Sequence, residues 1–142
     1  MIHFGLRLCI TFFLFLTMME AKEVSGITVA STFSHDGVEL SLKGAGVRDK
    51  FFMDLYVASL YLGAPHENAK TILRAKEPMA LELIILSSLI TSEKMEEATK
   101  EGFINASGDK LASLQEQIDR FIALFKEPIA INDRYTFLYT PT

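Results

Sequence analysis

Arg48 has the clearest chemistry in this sequence. It closes the segment Gly44-Ala45-Gly46-Val47-Arg48, and after Asp49-Lys50-Phe51 comes a run of aromatic and aliphatic residues from Phe52 to Leu62. A guanidinium carries a permanent charge and a rigid fork of donors, so at the mouth of a strand it can hold a carboxylate, a carbonyl or a phenolate. The competing reading is a solvated turn arginine, paired with Asp49 or Asp54 and contributing little. Asp54 lies among large apolar residues, where an unpaired carboxylate is costly to bury. It is therefore expected beside Lys50 or Arg48, or on a wet edge.

Other reactive side chains offer less. His35 and His66 both fall in turns, His3 lies near the start of the chain, and no two have metal-ligand spacing, so neither a metal nor another cofactor is expected. No serine sits in a Gly-x-Ser-x-Gly elbow. Glu93, Glu96, Glu97 and Glu101 are interleaved with Lys94 and Lys100, the pattern of a solvated helix face. Phe121 and Phe125 read as core packing first and as a pocket wall second.

A net charge of −4 provides no basic patch to displace counterions from phosphates, so nucleic acid is excluded as a partner. With 142 residues, 49% hydrophobic and 23% charged, the chain is expected to be one globular domain. Residues 1–21 read as an export signal: Arg7 is the basic residue, Leu8 to Met18 is apolar, and Ala21 can precede the cut. The apolar stretch is shorter than the roughly 20 residues of a membrane span, although an uncleaved anchor is the alternative. The sole cysteine, Cys9, would leave with the signal, so the mature chain is expected to have no disulfide and no thiol chemistry. The expected product is residues 22–142, exported to the periplasm or the extracellular space.

These residues need a frame to position them. Ile27 to Phe33 is a β-prone run, and Ser34-His35-Asp36-Gly37 turns it into the alternating Val38 to Leu42, so a hairpin is expected. A second turn is expected at Gly44 and Gly46, where the absence of a Cβ permits a bend, followed by the long strand to Leu62. Glu67 to Arg74 fits a short helix with Ala69, Ile72 and Leu73 on one side. Met79 to Ser88 reads as a strand covered on both faces. Thr91 or Ser92 caps a helix to about Asn105, ending at Gly108; Asp109 caps another, which Pro128 ends. Arg134 to Thr140 alternates as a last strand. This order is α+β, a mostly antiparallel sheet with helices on one face.

The motif Gly44-Ala45-Gly46-Val47-Arg48, with Lys50-Phe51-Phe52, Tyr56-Val57-Ala58-Ser59-Leu60-Tyr61-Leu62 and Glu101-Gly102-Phe103, resembles the chalcone isomerase-like family, in particular its secreted bacterial-type members. The resemblance spans about residues 25–140. It implies an open-faced β-sandwich, a large antiparallel sheet with a helical layer around a ligand cleft, and it implies further strand and helix beyond Thr142, so a C-terminal truncation is expected. In isomerases of this family the matching arginine stabilises a developing oxyanion, which would make Arg48 catalytic. Tyr56 falls at the position of the family's catalytic threonine, Lys94 near that of a tyrosine, and Glu101 near that of an asparagine. These departures weigh against an intramolecular lyase. The family's fatty-acid-binding members keep the arginine for a carboxylate, which implies a ligand site at Arg48 and Tyr56 for a fatty acid or similar amphipathic anion. A structural or partner-binding envelope protein is the third reading.

Overall fold

The structure is a computed structural model that describes residues 21–141. Apart from Ala21, the expected signal peptide lies outside the described residues.

Five strands form one antiparallel meander: β3 (Thr32–His35), β4 (Val38–Lys50), β5 (Met53–Leu62), β6 (Met79–Ile85) and β7 (Arg134–Tyr139), in that spatial order. Preceding them, β1 (Lys22–Val24) and β2 (Ile27–Val29) make a separate hairpin. The expected single run from Ile27 to Phe33 is thus two strands in two sheets. Helix α1 (Ala69–Arg74) links β5 to β6, while α2 (Ser92–Ser107) and α3 (Leu111–Ile122) link β6 to β7. The class is α+β.

Side-chain alternation assigns the two faces. On one face, Leu40, Val57, Tyr61 and Ala80 pack with Val29 into the main core, joined by Val24, Ile27 and Phe33. The β1–β2 hairpin covers this side. On the other face the helices sit over β6 and β7: Phe121 lies 5.9 Å from Phe137, and Phe125 lies 5.7 Å from Tyr135, centroid to centroid. Burying each such aromatic contributes about 1.5–3 kcal/mol. Strand β6 has both faces covered over Glu82 to Ile85, as the apolar run from Leu83 to Ile85 required.

The expected turn at Gly44 and Gly46 does not exist. Both glycines lie inside the 13-residue β4, paired with Leu60 and Ala58 of β5, and the ladder is irregular between Leu42 and Gly44 and again between Arg48 and Asp49. The chain reverses instead at Phe51-Phe52, between the paired residues Lys50 and Met53, with φ of 51° and 62°. The other two-residue reversals place Ser25-Gly26 and Asp36-Gly37 at positive φ, sequences that suit such turns.

Helix ends follow local chemistry. Thr91 caps α2 by accepting a hydrogen bond from the Lys94 N–H, and Gly108 ends the helix at φ 50°. A hydrogen bond from its own backbone N–H, and then one from the Thr91 hydroxyl, hold the Glu93 carboxyl below its ordinary pKa. Asp109 does not cap α3: it sits in a 3₁₀ turn, Gly108–Lys110, and α3 starts without a side-chain cap. Nor does Pro128 end α3, which gives way to a 3₁₀ turn at Ala123–Phe125. Helix α1 buries no residue, and Leu73 is exposed.

Candidate functional site

The register of β4, β5, β6 and β7 lays out the helix-facing side of the sheet as rows of side chains. Gly44, Leu60, Leu81 and Phe137 form one row; Gly46, Ala58, Leu83 and Tyr135 form the next; Arg48, Tyr56 and Ile85 form the third. Helices cover only the β6–β7 end of these rows. Over β4 and β5 the floor stays open: the positions where Gly44 and Gly46 would carry a Cβ have no atom within 4 Å. The glycines lower the floor of a cleft and do not bend the chain.

The covered end holds a cavity of about 370 Å³, lined by Leu81, Leu83 and Phe137 from the sheet, by Met95, Thr99, Gly102, Phe103 and Ala106 from α2, and by Phe121 from α3. The α2 residues follow the i, i+4, i+7, i+8 spacing of one helical stripe. Seen from the sequence, this helix showed mainly its acidic side, and the stripe behind it is the wall of the cavity. Leu81 remains 38% exposed although it lies on an interior strand, because the cleft is open above it. In the third row, outside the cavity lining, Arg48 stands directly opposite Tyr56. Strand spacing puts Arg48 about 10 Å across the sheet from β6, within reach of a single extended ligand.

Arg48 is exposed and forms no salt bridge among the described residues. Asp49 and Asp54 face one another in register instead of pairing with it. Its guanidinium is therefore available to an anion. Tyr56 shares the row of Arg48, whereas Tyr61 points into the core on the other face, where burial and the nearby Glu82 raise its pKa. Tyr135, at the covered end of the cleft, is also pushed up, by burial and then by Asp133.

Lys94 and Glu101 do not join Arg48. Lys94 donates to the Leu89 carbonyl at 3.1 Å, and Glu101 is exposed on α2. The acidic cluster on α2 borders a groove with Asp119 and Lys100, as a solvated face does. His66 departs from the expected exposed turn residue: its ring lies 3.1 Å from the Glu77 carboxylate, largely buried, and Lys43 donates to its carbonyl. The described residues contain no cluster that could hold a metal ion.

One polar feature was missed. Glu82 is buried on the core face, across from Ser59 and Thr136, and is bonded to Arg134. The signal was a lone carboxylate inside the apolar run from Met79 to Ile85.

Among curated proteins, none matches the sequence. Among solved structures, the crystal structure of an Arabidopsis thaliana fatty-acid binding protein is similar, with a TM-score of 0.60 and 16% identity over 82% of this chain and 70% of that one. At that identity the likeness establishes the fold. The chalcone isomerase-like family model matches residues 21–142, which takes in all the described residues. The chain belongs to the chalcone isomerase-like family.

Proposed function

We propose that this protein binds a fatty acid or similar amphipathic anion, with the carboxylate on Arg48 beside Tyr56 and the apolar tail laid across the glycine floor toward the cavity under α2. The observation that carries this reading is the shared face: an unpaired arginine, a floor left low at Gly44 and Gly46 and an apolar cavity of about 370 Å³ lie on the same side of one sheet. A charged head with a long apolar tail is the ligand that uses all three. The fatty-acid-binding function of the similar Arabidopsis structure supports the same class.

The lyase alternative draws on Arg48 as an electrostatic stabiliser, but the cavity offers only the Thr99 hydroxyl, and Lys94 and Glu101 are directed elsewhere. Binding without turnover is therefore the favoured role, in an exported chain cut near Ala21. Native mass spectrometry of the purified protein tests it. A retained lipid of defined mass, absent from Arg48→Ala, is the expected result, and an empty wild-type protein that also fails to take up added fatty acid would refute the reading.

A further inference from the structure

The β4–β5 hairpin ends in Phe51 and Phe52, which are 76% and 106% exposed, followed by the exposed Met53. Two adjacent phenylalanines in solvent forgo the burial that normally places such residues inside. They also occupy positive φ, a region that bulky side chains avoid, whereas the chain's other two tight hairpins put Gly26 and Gly37 at the second position. The sequence here favours neither the turn nor solubility. A selected external contact accounts for both features.

The charge around the tip indicates what that contact is. Lys50, stacked over the Phe51 ring at 5.3 Å, and Lys94 flank a notch of about 360 Å³ whose walls are Phe51, Met53, Leu55, Leu89 and Ile90. Arg48 lies two residues from Lys50 with Asp49 between them, and Asp49 is in register with Asp54 one position behind the Lys50–Met53 pair. The two charged residues that line the apolar notch are thus both cationic, in a chain whose net charge is −4. Two side chains of about 150–250 Å² each fall short of the roughly 800 Å² per partner of a stable protein interface. They suit shallow insertion into a bilayer, with lysine stems running along the apolar surface and ammonium groups at anionic headgroups.

We propose that the Phe51-Phe52 tip is a lipid-docking finger that seats the mouth of the cleft on an anionic membrane surface. This goes beyond the proposed ligand and does not depend on it, because the contact is with the bilayer itself.

The chain has no tryptophan, so Phe52→Trp in the full chain is a single fluorescent reporter of the tip. With vesicles of an equal mixture of phosphatidylcholine and phosphatidylglycerol, its emission should shift to the blue and be quenched by brominated acyl chains. Adding Lys50→Gln and Lys94→Gln should weaken that partitioning about 30-fold. A Leu73→Trp reporter on exposed α1 should stay unquenched. Separately, Phe51→Asn with Phe52→Gly should raise Tm by roughly 2–5 °C by relieving the turn. The proposal is overturned by an unquenched tip, by equal quenching at the Leu73→Trp reporter, by a blue shift without vesicles that grows with protein concentration, or by a lower Tm in the Asn-Gly variant.

Discussion

Gly46→Val should make the protein more stable and worse at binding. Gly46 lies in the interior of β4 without a positive φ, and a Cβ there meets no atom within 4 Å, so the fold does not require glycine. Glycine in a strand interior is about 0.5–1 kcal/mol less stable than alanine, and a β-branched residue suits the strand at least as well. For a domain of this size that gain corresponds to a rise in Tm of roughly 2–6 °C. The new side chain would stand on the cleft floor beside Ala58, one row from Arg48. If it displaces two or three ligand methylenes at about 0.8 kcal/mol each, binding loses about 2 kcal/mol, or about 30-fold. Thermal unfolding of the unliganded protein and a calorimetric titration with a long-chain fatty acid measure the two effects. A lower Tm would show that the glycine is structural. Unchanged affinity with a raised Tm would show that the ligand does not cross this floor.

Two further outcomes follow from the geometry and one from the sequence. Arg134→Ala leaves the Glu82 carboxylate, 7% exposed in its side chain, without its partner and should cost roughly 1–3 kcal/mol after discounting for the half-exposed arginine; denaturant unfolding should show much of this recovered when Glu82→Gln is added. The Tyr61 pKa is raised above its ordinary 10.0, so the folded state holds that proton more tightly than the unfolded state: its stabilisation is complete below pH 10 and is lost as pH rises through the folded value, and alkaline unfolding curves should lose this component in Tyr61→Phe. Finally, N-terminal sequencing of exported protein should find a cut at or within a few residues of Ala21, and an intact Met1 on a membrane-bound product would contradict export by cleavage.

The succession of strands and helices and the helical pair were legible because they rest on local signals: alternation in Val38 to Leu42 and the helical spacing of Leu111 to Phe125. The role of the glycines was not. Gly44 and Gly46 suggest a turn to anyone reading along the chain, and only the pairing with Leu60 and Ala58 shows that they lie within a strand and leave one face of the sheet without side chains there. The true reversal at Phe51-Phe52 was hidden because its residues are poor turn formers, so propensity pointed away from it. Glu82 was hidden for a different reason. Its partner Arg134 lies 52 residues away and meets it only once β7 has paired with β6.

Calorimetric titration of a long-chain fatty acid into wild type, Arg48→Ala and Arg48→Lys tests the central claim most directly. A charge-assisted contact of about 1.5–3 kcal/mol predicts that Arg48→Ala binds roughly 10- to 100-fold more weakly at unchanged Tm, with Arg48→Lys recovering only part of the loss. Equal affinity in wild type and Arg48→Ala, or an Arg48→Ala protein that does not fold, would contradict the account.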